Sequence, residues 1–286
     1  MKYFYIIGNA SKPENKQYLY QMKEYIQHHG GICQLKEVSA FSQLKDPQGL
    51  KDMSENTECI MVLGGDGTLI RSANATEKME IPLIGVNFGT MGYLCDIDES
   101  NIMQSIKQVM ADDYFIEDRM RLEGYNIRGN KLKETMNALN DIVIYRYGNL
   151  RVVDYILYVN GQHLNTFSSD GIIISTPTGS TGYSMSCGGP IVDPAAKMLL
   201  ITPISPHTLS TRSIVLNADD EIIVEIGERH LGQKESVIVS YDGETAAELD
   251  VGDRVVVRKS DKYTKLLKLR KQSFLETIRD KMQENN

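Results

Sequence analysis

Three strings of the 286-residue chain carry residue types that can do chemistry. The first is Gly64-Gly65-Asp66-Gly67-Thr68, placed directly after the apolar run 58–63. Glycines let a backbone approach a ligand closely, and a helix starting there aims unpaired N–H groups at an anion. An aspartate repels phosphate, so in such a loop it makes sense as the group that handles an attacking hydroxyl, or as a metal ligand. A tight turn with a capping aspartate would use the same residues. The second string begins Asp170-Gly171-Ile172-Ile173-Ile174-Ser175. It continues Thr176-Pro177-Thr178-Gly179-Ser180-Thr181-Gly182-Tyr183-Ser184-Met185-Ser186-Cys187-Gly188-Gly189-Pro190. An apolar strand feeding so many hydroxyls predicts a wall of short donors and acceptors, with Tyr183 as a flat surface for a ring. The third, Asn140-Asp141, sets an amide beside a carboxylate at the mouth of a strand. Neighbours in extended chain face opposite ways, so at most one enters a given pocket unless the backbone bulges. Read alone, the pair also suits a turn.

The elements that must position these strings fall into two patterns. Runs at 3–7, 32–38, 58–63 and 82–86 alternate with helical spacing at about 14–27, 68–76 and 99–110. That alternation predicts crossover units, a mainly parallel sheet, and ligands beyond the carboxyl ends of its strands. From there the chain reads as short β-branched or aromatic runs at 125–127, 141–145, 152–159, 171–175, 213–216, 221–226, 236–241 and 254–258. Asn160-Gly161 between two of them is a hairpin signal. An α/β domain over 1–112 and a β-rich domain over 113–265 are expected, followed by helical character at about 271–283. Pro203-Ile204-Ser205-Pro206-His207-Thr208-Leu209-Ser210-Thr211-Arg212 predicts a rigid extended loop. The basic stretch from Arg258 to Lys271 predicts a solvated face whose aliphatic stems cover Leu266, Leu267 and Leu269.

Composition removes several classes. Lys and Arg number 31 against 38 Asp and Glu, a net charge of −7, which is the wrong sign for general nucleic-acid binding. Hydrophobic residues at 41% and charged residues at 24% match a globular chain rather than a disordered one. No apolar run approaches the ~20 residues that span a bilayer, so neither membrane nor nucleic acid is expected as a partner. Cys33, Cys59, Cys95 and Cys187 are scattered, as expected for reduced thiols in a cytoplasmic protein. The histidines show no metal spacing, and no protein metal site is expected. Neither a P-loop nor a Gly-x-Gly-x-x-Gly after the first strand is present, which disfavours a P-loop NTPase and an ordinary dehydrogenase.

Together and in this order, the strings resemble the NAD kinase family. The match comprises Gly-Gly-Asp-Gly after a strand, an Asn-acidic pair at a strand start, the Asp170–Pro190 string, the Pro-His-Thr-Leu-Ser-x-Arg loop and a late Asp242-Gly243. The resemblance implies a Rossmann-like α/β domain with a mainly parallel sheet and a C-terminal β-sandwich-like domain, residues 266–286 rejoining the first. It implies transfer of the terminal phosphoryl group of ATP to the adenosine ribose 2′-hydroxyl of NAD, with Mg²⁺ or another divalent metal, in a homo-oligomer (tetramer or dimer). Asp66 matches the general base. Gly64, Gly65, Gly67 and Thr68 would cradle phosphates. NAD contacts fall on Asp66, Gly67, Arg71, Phe88, Asn140, Asp141, Arg151, Asp170, Thr181, Gly182, Tyr183, Ser184 and Ser186. Three positions depart from the family's pattern: Asp141 stands where Glu is usual, Gly182 where Ala is common, and Ser168 where several relatives place Arg. A lipid or sugar kinase sharing the Gly-Gly-Asp-Gly loop, and an NAD(P) sensor without turnover, are the alternatives.

Overall fold

The computed structural model describes residues 1–10, 13–39, 44, 50–88, 92–128, 131–132, 135–148, 152–207, 212–228, 236–270 and 273–284. The chain forms two compact units, Met1–Asp118 with Thr264–Asn286, and Arg119–Tyr263.

The first unit opens with β1 (Tyr3–Asn9), α1 (Pro13–His28), β2 (Ile32–Val38) and β3 (Cys59–Leu63). It continues with α2 (Asp66–Ala75), β4 (Leu83–Asn87), β5 (Ile97–Asp98) and α3 (Ile102–Met110). Every pairing here is parallel: β2 with β1, β1 with β3, β3 with β4, and β4 with β5. β3 and β4 are buried along their whole lengths, so both read as unbroken apolar runs rather than alternations. Leu19, Met22 and Ile26 of α1 and Ile102, Ile106 and Val109 of α3 pack on Phe4, Ile6, Met61, Leu63, Ile84 and Val86. Their spacing of three and four is the helical stripe that seats α1 and α3 on the sheet.

The second unit is built from β6 (Phe115–Arg128), β7 (Lys131–Leu132), β8 (Met136–Ala138), β9 (Asp141–Arg146), β10 (Val153–Val159), β11 (Gln162–Ser169) and β12 (Gly171–Ser175). A 3-10 turn at Thr178–Thr181 leads to the one-turn helix α4 (Tyr183–Ser186). There follow β13 (Met198–Ile204), β14 (Ile214–Asn217), β15 (Ile222–Gly227), β16 (Val237–Tyr241), β17 (Glu244–Leu249) and β18 (Arg254–Lys268). One antiparallel sheet runs β14-β13-β12-β9-β16-β17. In the other, β10 lies between β11 and β15, and β15 pairs with the start of β18. Inward residues of both sheets, among them Ile142, Ile144, Tyr155, Leu157, Ile172, Ile174, Ile201, Val224 and Val239, form one sandwich core. β18 ends in the first unit, where Leu266 pairs with Leu83 in parallel, and α5 (Phe274–Glu284) closes the chain.

The fold class agrees with expectation, but several elements differ. The run at 125–127 is the end of the 14-residue strand β6. Pro203 lies inside β13, opposite Ile172, beyond the stretch of β13 that β14 pairs with, where its missing N–H takes nothing from a ladder. The expected extended loop therefore begins only after Ile204, and 208–211 lie outside the described residues. In the basic stretch, Leu266 and Leu267 are buried as strand residues of β18 rather than covered by lysine stems. The Asn160-Gly161 hairpin forms as expected, with φ of 49° and 77° joining β10 to β11.

Candidate active site

In the first unit the glycine loop leaves the buried end of β3 and turns into α2. Gly65 is the N-cap, and Asp66 is already the first helical residue, two positions earlier than apolar spacing indicates. Gly67 and Arg71, one turn apart, are both exposed, and an added Cβ at Gly67 meets nothing. Free amides and a cation thus share the solvent side of the helix start, the arrangement that receives an anion. Asp66 turns the other way. Its Oδ2 accepts from the Tyr93 amide at 2.6 Å, and its Oδ1 accepts from the Leu94 and Cys95 amides at 3.2 Å each. Among the described residues these three amides, with the Cys95 thiol beside them, fix both oxygens of the carboxylate. An added Cβ at Gly92 would collide with this carboxylate, so only glycine lets the 92–95 segment come so close. Phe88 is partly buried and packs on Tyr18 with ring centroids 4.6 Å apart. Its ring is therefore at least half committed to the unit's own core.

In the second unit Asn140 and Asp141 depart from the alternation expected of them. Asn140 sits in a bend before β9, and both side chains converge on one point. From a Cβ placed on Gly182, the Asn140 Nδ2 lies 3.3 Å away and the Asp141 Oδ2 3.8 Å away. The turn is held at both its polar ends. Asp242 accepts from the amides of Leu139, Asn140 and Asp141, while Thr176 donates its Oγ1–H to the Leu139 carbonyl at 2.7 Å and its N–H to the Asn140 carbonyl at 2.9 Å. Gly179 packs against the Asn140 backbone, where any side chain would overlap it. The Oδ1 of Asn140 is buried with no hydrogen-bond partner among the described residues, while its Nδ2 is the atom turned toward Gly182. Burial, with the neighbouring Asp242 charge second, pushes the Asp141 carboxyl up to about 7.

The hydroxyl wall is the largest correction. Ser175, Thr176, Ser180 and Ser184 are fully buried. Ser180 bonds the Val192 backbone, Thr181 donates to the Thr178 carbonyl, and Ser184 shares a bond with Thr202 at 2.9 Å. Ser180 and Ser184 thus point inward rather than toward a ligand, whereas Thr181, only partly buried, bonds within its own turn. Such short side chains bond their own backbone readily, which composition alone does not reveal. Tyr183, 46% exposed, and Ser186 do face outward.

Asp170 is not brought to this cluster within the chain. Antiparallel register sets Ser175 opposite Asp141 and Gly171 opposite Tyr145, placing Asp170 at the far end of the same strand pair, about 13 Å or more along it. There it accepts from Arg146 Nε at 2.7 Å, a partner that the sequence reading did not anticipate. Ser168, at the departure from Arg, donates to Asp154. Arg151 lies outside the described residues. Asp242 and Gly92 contact these candidate residues, and the sequence reading gave neither a role of its own. The only sequence signal for the first was its Asp-Gly dipeptide, and for the second its place in the loop after β4.

Comparison with known proteins agrees with the motif order. Residues 4–114 match the ATP-NAD kinase N-terminal domain and 139–269 the ATP-NAD kinase C-terminal domain. An NAD kinase of Agathobacter rectalis is 49% identical over 284 residues, covering 99% of both chains. One of Lachnospira eligens is 41% identical over 293 residues, covering 99% of this chain and all of that one. Among solved structures, yeast NADH kinase complexed with NADH superposes with a TM-score of 0.86 at 22% identity, over the whole of this chain and 88% of that one. An NAD kinase from Archaeoglobus fulgidus in complex with ATP gives 0.75 at 22% identity, over 96% and 98%. These relatives lend no support to a lipid or sugar kinase or to a sensor without turnover. The chain belongs to the NAD kinase family.

Proposed function

We propose that this NAD kinase uses Asp66 to aim the adenosine ribose 2′-hydroxyl of NAD at the terminal phosphorus of ATP. The observation that carries the reading is the Asp66 carboxylate, fixed at the start of α2 by the amides of Tyr93, Leu94 and Cys95. A carboxylate is far too weak a base to deprotonate a resting ribose hydroxyl. In a loose phosphoryl-transfer transition state the proton leaves late, so orientation of the oxygen is the main contribution. The ribose oxygen bonds to phosphorus, the bond from phosphorus to the β-phosphate oxygen breaks, and the proton passes through Asp66 to solvent. ADP and NADP are the products. The amides of 65–67 and Arg71 suit the phosphates, whereas the Thr68 amide already donates to the Gly65 carbonyl at 2.8 Å. In the second unit, Asn140 offers its side-chain amide and Asp141 its carboxylate to the dinucleotide, and Tyr183 its exposed ring.

Among the described residues no group of three or more His, Cys, Asp or Glu could hold a metal ion, so these side chains do not fit a resident metal. A divalent cation carried by the triphosphate would supply neutralisation of the phosphate charge. Among the described residues no helix is long and apolar enough to cross a membrane. The free cysteines, three of them buried, suit a reducing cytoplasm. A homo-oligomer is supported by the motif resemblance alone.

The test is to incubate the purified chain with NAD, ATP and Mg²⁺ and assay NADP. NADP formation that requires all three supports the reading, and tight NAD binding without NADP overturns it. Tyr183→Ala is expected to weaken NAD binding by about 1–3 kcal/mol in calorimetry, the usual contribution of an aromatic ring stacked on a base. Unchanged affinity would remove the stacking role.

A further inference from the structure

The hairpin of β16 and β17 turns through Asp242-Gly243, with φ of 49° and 79°. For the turn alone, asparagine would serve as well as aspartate. The side chain does something asparagine cannot. Asp242 Oδ2 accepts from the Leu139 amide at 2.7 Å, and Oδ1 accepts from Asn140 at 2.7 Å and Asp141 at 3.1 Å. The backbone answers in kind, the Asp242 N–H donating to the Asp141 carbonyl at 3.0 Å. Three consecutive amides on one anion are charge-assisted bonds, roughly twice as strong as neutral ones. An amide in this place would turn its NH₂ toward an N–H and lose at least one of the three.

We propose that Asp242 is a positioning residue for nucleotide binding, fixing the 139–141 turn so that the Asn140 side-chain amide and the Asp141 carboxylate are presented together. The proposal rests on the role given above to Asn140 and Asp141. Two observations separate it from a plain hairpin contact. The turn it grips carries the buried, unpartnered Asn140 Oδ1. The grip also has an electrostatic cost, because Asp242 stands close enough to Asp141 to disfavour its ionised form. A hairpin that needed only a turn gains nothing from facing one carboxylate with another. The titratable neighbours of Asp141 are Asp242 from the hairpin and Tyr183 from α4.

The experiment measures the Kd for NAD by calorimetry, from mildly acid to mildly alkaline pH, for the parent, Asp242→Asn, Asp242→Glu and Asn140→Ala. Asp242→Asn is expected to weaken NAD binding about 10- to 100-fold, the loss for a charge-assisted bond. It should also move the pH midpoint of affinity downward, because Asp141 then titrates without a neighbouring charge. Asp242→Glu keeps the charge but misplaces the oxygens, so it should weaken binding with the midpoint held. If Asp242→Asn does not fold, Asp242→Glu decides the matter. Variants that melt earlier yet bind NAD with the parent's Kd and midpoint reduce Asp242 to a structural contact and overturn the proposal. Asn140→Ala separates the two levels. Unchanged NAD affinity in that variant removes the underlying reading and the proposal with it. Weakened affinity in Asn140→Ala beside normal affinity in both Asp242 variants removes the positioning role only.

Discussion

Asp66→Asn and Asp66→Ala are expected to lower turnover about 10²–10⁴-fold, the range for a positioned acid–base group, while NAD still binds. The loss follows from geometry as much as chemistry. Asparagine is nearly the same shape but offers one oxygen where the three amides of Tyr93, Leu94 and Cys95 need two. Either the Tyr93 bond or the Leu94 and Cys95 pair must fail, and the side chain loses the orientation proposed for handling the hydroxyl. Gly92→Ala tests the same point without touching the carboxylate, because its Cβ would occupy the space Asp66 fills. It should reproduce most of the loss. NADP formation under saturating substrates, beside the Kd for NAD, checks all three variants. A near-parental rate for Asp66→Asn with intact NAD binding would end the assignment of Asp66.

How far the sequence carries depends on which force shapes each segment. In the first unit apolar periodicity decides, and β1, α1, β2, β3, β4 and α3 stand where the patterns put them. α2 starts early because Asp66 and Gly67 have no apolar signal to show. In the second unit, strands with clear alternation were legible, whereas β11, β13 and β17 were not, the end of β13 being read as an extended loop from Pro203. Gln162–Ser169 is polar with five exposed residues in a row, and Glu244–Leu249 is rich in helix formers. Tertiary pairing overrides such local preference. For the site, residue types were legible but directions were not. The string 175–186 shows its hydroxyls equally to any reader, yet Ser180 and Ser184 bond inward while Tyr183 stands out. The grip of Asp242 on Asn140 links residues 102 positions apart, and no local pattern encodes it.

Asp141→Asn is expected to make the protein more stable, and only above acid pH. Burial, with the Asp242 charge second, raises the folded-state carboxyl to about 7, against about 3.9 in an unfolded chain. Below the unfolded value both states hold the proton, and Asp141 costs nothing relative to asparagine. As pH rises past it, the unfolded chain ionises while the folded one does not, so folding loses free energy steadily. Above pH 7 both states are ionised and the penalty is constant, on the order of 4 kcal/mol from a gap of about three pK steps. The thermal midpoint of Asp141→Asn should therefore exceed the parent's by several degrees near pH 8 and converge with it near pH 4. No donor among the described residues reaches this carboxylate to offset its burial. A buried charge kept at such a cost is what a site built for a hydroxyl-bearing ligand requires, since ribose hydroxyls would supply the missing donors. NAD should accordingly stabilise the parent more than the variant. A variant no more stable than the parent near pH 8 would show Asp141 ionising freely there, and the nucleotide would have no buried charge to relieve.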